Sequence, residues 1–246
     1  DRHIARRGAC PVIQVLAAML GLCRPIGQSL EVPGPLEQGW REPEPSPPHI
    51  LRSLAPRMFE LGVRGWGSFS AAAAQAGAKV LAPFYWSKAI LTTSQQRTLF
   101  RAVWFGWIGL LHISMPEGTW KGTRGYSGSD RSADRPWGTN ASEQESEDNW
   151  RARFAIRLCH IALMRGVPFS LMVPMPTYLP ATDEFRQLRA ARGVTSRVIS
   201  ECSMGGDLSV GTNRKFILLS SEAGLIADAS RYECRCLGCL LYTSDA

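Results

Sequence analysis

Apolar residues recur along this chain in two rhythms. In Asn149–Pro176, Trp150, Phe154, Leu158 and Ile161 return at steps of three and four, so they share one helix face. Arg151, Arg153, Arg157 and Arg165 lie largely off that stripe. Asp148 and Asn149 are N-cap candidates and Gly166 is a C-cap candidate. Val167–Val173 is then a short apolar run, with Pro174 and Pro176 after it. Helix, tight turn and buried strand in that order make one αβ unit of a layered domain.

The same two rhythms organise the stretch before it. Arg57–Val63 is a short strand, Gly65-Trp66-Gly67 a turn, and Ser68–Ala76 an alanine-rich helix. Ala78–Phe84 is a second strand. Thr93–Trp107 reads as a helix with Leu99, Val103 and Trp107 on one face, and Ile108–Ile113 is a third strand. Lys121–Glu147 is polar and rich in glycine and serine, which predicts a mobile loop. Asp183–Arg192 is a helix stopped by Gly193, and Ser196–Cys202 and Lys215–Ser220 are the last strands. Strands alternating with helices predict an α/β fold with a mostly parallel sheet covered on both faces.

Upstream, residues 1–26 form a basic segment with one helix, Pro11–Cys23, and residues 27–48 a proline-rich linker. The compact domain is expected over residues 49–238. With Asp1 in place of Met, a fragment at that end is the expectation. Cys239–Ala246 reads CLLYTSDA, which a transposase-based sequencing adapter would encode in frame; we treat these residues as a non-native tail. Genomic sequence running through those codons would overturn that hypothesis.

The chain has 246 residues, of which 45% are hydrophobic, enough for one domain with a full core. No apolar run is long enough to span a membrane as a helix, and Val12–Leu22 is followed by the poor cleavage site Cys23-Arg24-Pro25. An intracellular location, cytoplasm or nucleus, is the expectation. With Cys239 set aside, Cys234 and Cys236 leave only a C-x-C pair, and the scattered cysteines read as buried free thiols rather than metal ligands. His3, His49, His112 and His160 show no paired metal spacing. The net charge of +7 suits a polyanionic partner.

Four segments in order resemble cytosine-C5 DNA methyltransferases, closest to the divergent forms of mobile genetic elements. In Phe59–Ala72 (FELGVRGWGSFSAA) the resemblance makes Phe59, Gly65 and Gly67 the site for S-adenosylmethionine, although the acid expected after the second strand is replaced by Phe84-Tyr85-Trp86. In His112–Gly125 (HISMPEGTWKGTRG), Pro116, Trp120 and Arg124 fit, but Glu117 stands where the family has its nucleophilic cysteine. That chemistry needs a thiolate to add to C6 of a flipped cytosine. In Val167–Pro174, Met172 stands at the family's glutamate, and in Ser209–Ser221 Arg214 matches its first arginine. The resemblance therefore implies a Rossmann-like, class I methyltransferase-like fold, with Glu117, Met172 and Arg214 at the catalytic positions and cytosine methylation lost.

The resemblance also implies DNA as a partner. Trp120, Lys121 and Arg124 are the candidate nucleic-acid contacts, joined by Arg131, Arg135 and Trp137 for phosphates and a stacked base. The competing readings are a nucleic-acid-binding or scaffold domain of a mobile element, a methyltransferase of another type built on Ser114-Met115-Pro116-Glu117, and a decaying reading frame without function. Glu117 and Asp130 are the acids to watch in the cleft.

Overall fold

The structure is a computed structural model that describes residues 57–62, 68–86, 93–120, 129–140, 142–200 and 215–231. The predicted helix Pro11–Cys23, the linker, Gly65, Gly67, Lys121, Arg124, Arg214, the C-x-C pair and the tail lie outside the described residues.

The sheet has six strands: β1 (Arg57–Leu61), β2 (Lys79–Val80), β3 (Leu110–Ser114), β4 (Phe169–Met175), β5 (Thr195–Ser200) and β6 (Lys215–Ser220). Among the described residues five α-helices accompany them: α1 (Ser68–Gln75), α2 (Thr93–Trp104), α3 (Glu143–Met164), α4 (Asp183–Ala190) and α5 (Ala223–Arg231). The strand order is β2-β1-β3-β4-β6-β5. Pairings among β1, β2, β3 and β4 are parallel, whereas β6 runs antiparallel to both β4 and β5. The expected mostly parallel sheet is thus a mixed one. The last two strands follow each other with no helix described between them, and an antiparallel pair needs no crossover helix.

Alternation along the strands sorts the core into two layers. Phe59, Leu61, Leu111, Ile113, Phe169 and Leu171 face one side, packed with α2, α3 and α4 through Val103, Leu158 and Phe185. Met58, Leu110 and Leu218 face the other, with Phe69 and Ala73 of α1 and Leu225 and Ile226 of α5. Burial of these side chains, at about 1.5–3 kcal/mol each, is the main force holding the layers together. Helix α5 has no counterpart among the sequence-predicted elements. Cys159 is a buried free thiol, as its place in the helix predicted, and burial pushes its pKa up.

Several boundaries differ from the pattern for identifiable reasons. α3 starts at Glu143 rather than near Asn149, because the Ser142 side chain accepts the Glu145 N–H at 3.1 Å, with Glu143 and Glu145 in the first turn. Asp148 and Asn149 are therefore buried helix residues, not caps. The predicted Ala78–Phe84 strand keeps ladder pairing only at Lys79–Val80, with a further bridge from Leu61 to Phe84; Pro83 has no N–H to donate between them. α2 ends at Trp104, and Gly106 with φ 71 turns the chain, leaving Trp107 45% exposed rather than on the helix face. β4 lies two residues later than predicted. No described helix is long and apolar enough to cross a membrane.

Candidate functional site

Strand order reverses direction of growth between β1 and β3, and in open α/β sheets the crevice beyond the carboxyl ends at such a point is where ligands bind. The ends of β1 and β3 touch there. Gly62 has φ +109, and a Cβ on it would lie 2.0 Å from the Ser114 carbonyl oxygen and 2.6 Å from Trp86 Nε1. Only glycine fits that approach. Trp86 Nε1–H donates to the Ser114 carbonyl at 2.7 Å, and Gly62 N–H donates to the Phe84 carbonyl at 2.7 Å. Three backbones are thus stapled together, leaving Phe84 and Tyr85 exposed and Trp86 buried.

Sequence-predicted residues take these positions. Phe59 is buried and meets Phe84 edge-on at 5.3 Å, so its ring belongs to the core beneath the carboxyl ends of the strands. Met172 pairs with Ser114 across the β3–β4 ladder, and its carbonyl accepts the Met115 N–H at 2.8 Å. Glu117 lies just beyond β3 and is exposed, followed by the short turn Gly118–Trp120. The fold brings Gly62, Ser114, Glu117 and Met172 to one edge of the sheet.

A polar row that the sequence reading did not single out crosses the sheet at the same level. Glu60, His112, Ser170 and Ser220 occupy matched positions on β1, β3, β4 and β6, all buried. Ser70 N–H, in the first turn of α1, donates to Glu60 Oε2 at 2.8 Å. Burial raises the Glu60 pKa, opposed by its hydrogen bonding to Ser70. His112 Nδ1 lies 2.7 Å from Ser170 Oγ and Nε2 lies 3.0 Å from Ser114 Oγ, while the Phe69 ring stacks on the imidazole at 3.8 Å. Burial lowers the His112 pKa to about 3, so the ring is neutral at ordinary pH. Each member shows in the sequence only as a lone polar residue in or at the end of a strand, with nothing to mark the four as neighbours.

The β3–α3 connection carries a second cluster. Arg131 is buried, and its guanidinium donates to Thr119 Oγ1 at 3.2 and 2.9 Å, to the Pro136 carbonyl at 2.8 Å, to Asn149 Oδ1 at 2.8 Å and to the Glu145 carbonyl at 3.3 Å. Its guanidinium carbon sits 3.8 Å over the Trp120 ring. Burial lowers the Arg131 pKa, and the charges of Glu145, Asp148 and Asp130 work against that shift. Asp148 accepts the Thr119 N–H at 2.7 Å and pairs with Arg151 at 2.6 Å. Trp120 is buried, donates to the Asp148 carbonyl at 3.3 Å, and meets Trp137 edge-on at 5.3 Å.

This corrects the mobile-loop expectation: residues 129–140 are tied to α3, and residues 143–147 are its first turns. Arg131 and Trp120, expected at phosphates and a base, point inward in this structure. Arg135 and Asp130 are exposed and paired at 3.4 Å. Among the described residues no group of three His, Cys, Asp or Glu side chains is placed to hold a metal ion.

No family model, no curated protein and no solved structure matches the chain.

Proposed function

We propose that the chain is a Rossmann-like, methyltransferase-like domain that binds S-adenosylmethionine at the carboxyl edge of β1 and β3 and does not methylate cytosine at C5. The observation that supports this reading is the seam at Gly62, where β1, β3 and the segment after β2 converge at the topological switch point. A reversed strand lying between the last two same-direction strands, as β6 does, also accords with a class I methyltransferase sheet.

The residues present fit such a cofactor in part. The Gly62 backbone, the exposed rings of Phe84 and Tyr85, and half-buried Ser114 and Met172 would form its walls. The cofactor supplies an electrophilic methyl group when bound. No carboxylate stands in Phe84–Trp86 to chelate ribose hydroxyls, so affinity must come from stacking and backbone contacts. At the nucleophile position Glu117 is a carboxylate, which cannot replace a thiolate in addition to C6. DNA remains the proposed partner on the strength of the resemblance and the net charge of +7.

Calorimetric titration of S-adenosylmethionine into the full chain tests the reading, paired with transfer of labelled methyl groups to DNA. Saturable binding without label in cytosine is the expected result. Folded chain that fails to bind would refute the cofactor site and leave a scaffold or nucleic-acid-binding role. Label at cytosine C5 would refute the loss of activity.

A further inference from the structure

The hydrogen-bond polarity of the crevice is set behind it, by the row Ser114–His112–Ser170. A neutral imidazole has one N–H donor and one bare nitrogen acceptor. Ser170 is 1% exposed and its hydroxyl has one neighbour among the described residues, His112 Nδ1 at 2.7 Å. If Nδ1 carried the hydrogen, the Ser170 hydroxyl hydrogen would be buried without an acceptor, which native interiors avoid. The arrangement that uses the hydrogens of both His112 and Ser170 has Ser170 O–H donating to Nδ1 and Nε2–H donating to Ser114 Oγ at 3.0 Å. The stack of Phe69 on the ring at 3.8 Å, 6° from parallel, fixes the plane of both bonds.

Ser114 ends β3 beside Gly62 and is the partly exposed member of that row. Its oxygen receives the imidazole hydrogen, so its own O–H is unspent. We infer that Ser114 meets a bound molecule as a hydrogen-bond donor held in place by His112, and that the group it meets is an oxygen acceptor, a carboxylate, rather than an amino group. An amine there would leave the hydroxyl hydrogen without a partner once water is excluded. This inference rests on the cofactor-crevice reading, in which the amino-acid carboxylate of the cofactor is the acceptor nearest to hand. Ser114 is the binding residue and His112 a positioning residue.

The two halves are separable by experiment. In the ¹⁵N-labelled full chain, two-bond ¹H–¹⁵N correlations of the His112 ring should show hydrogen on Nε2 and none on Nδ1, unchanged from pH 5 to 8. Glu60, whose pKa burial raises, is its titratable neighbour across the ladder on β1. Hydrogen on Nδ1, or titration of the ring within that range, would overturn the assignment. Ser170→Ala should release the preference toward a mixture of tautomers; if that variant does not fold, Ser170→Thr keeps the hydroxyl and should keep the Nε2–H form.

S-adenosylhomocysteine and its decarboxylated analogue are then titrated into wild type and Ser114→Ala. The substitution should weaken the carboxylate-bearing ligand about tenfold or more and the analogue by less than about twofold, as loss of a hydrogen bond to a charged acceptor implies. Equal weakening of both, or of neither, would overturn the role of Ser114 while the crevice stood. If neither ligand bound wild type, the crevice reading itself would fall, and the ligand half of this inference with it.

Discussion

The Arg131 cluster and the Glu60–His112–Ser170 row are both polar and buried, yet they differ in charge and in how densely they are bonded. All three nitrogens of Arg131 donate to partners from four places in the chain, and its charge is balanced by acids on α3. The row is neutral at His112 and holds few bonds per group. The first arrangement fixes the β3–α3 connection, although Glu145 Oε2 and Arg151 Nε within it are buried without a partner. The second ends in a half-buried serine beside the crevice. A densely bonded charged cluster fixes a connection, whereas a sparsely bonded neutral row that ends in a half-buried hydroxyl can meet a ligand.

Removing the centre of the charged cluster should have the largest effect. Arg131→Met leaves Thr119, Asn149 and the Glu145 and Pro136 carbonyls without their donor, and should lower stability by about 3–5 kcal/mol. Arg131→Lys keeps the charge but not the planar fork, and should recover less than half of that loss. Urea unfolding of both variants separates charge from geometry; equal stability of the lysine variant and wild type would mean that the fork is dispensable.

At the seam, Gly62→Ala sets a methyl against the Ser114 carbonyl at a φ of +109 and should cost about 3 kcal/mol. Its mark should be spatial: amide shifts concentrated at residues 60–62, 84–86 and 114–115, with the Arg131 cluster unmoved. Shifts spread evenly over both clusters would erase the distinction between them.

Acid should act on the row. The unfolded His112 side chain titrates near 6.5 and the folded one at about 3, so between those values the unfolded chain binds a proton that the fold does not. Stability from this group is whole above pH 6.5 and falls with pH, by at most about 1.4 kcal/mol per pH unit. Glu60, with its pKa raised in the fold, works in the opposite direction above its ordinary 4.5. His160, lowered by burial, adds to the histidine slope. His112→Gln should therefore flatten the pH dependence of the denaturation midpoint between pH 6.5 and 4.5. An unchanged slope would mean that His112 is not buried neutral.

The smallest effect belongs to the cap. Ser142→Ala should cost about 1 kcal/mol and fray the α3 turn that carries Glu145. Hydrogen exchange should rise at Glu145 and Ser146, with that of Leu158 and Ile161 unchanged.

What could be read from sequence follows the range of the interactions. β1, β3, β6 and the body of α3 show themselves because local apolar periodicity and burial agree. The burial of Arg131 was illegible: an arginine in a stretch of Gly, Ser and Asp looks solvated, and its burial depends on Thr119 and Asn149, twelve and eighteen residues away. The row was illegible for a stronger reason. His112 and Ser170 are neighbours through strand register, 58 residues apart, and no spacing rule reaches across a crossover. The order β4-β6-β5 likewise escaped, since the apolar runs of β5 and β6 carry no mark of strand direction.

That order also bears on how the chain is made. β5 emerges from the ribosome before β6, yet β6 is its partner and also covers the free side of β4. Until residue 215 and those after it are available, β5 has no hydrogen-bonding neighbour in the sheet and β4 presents a bare edge. Each nascent chain must keep two strands in waiting until a third closes both gaps at once. Any species shortened before Lys215 would carry an open, apolar strand edge and be prone to associate with its own copies.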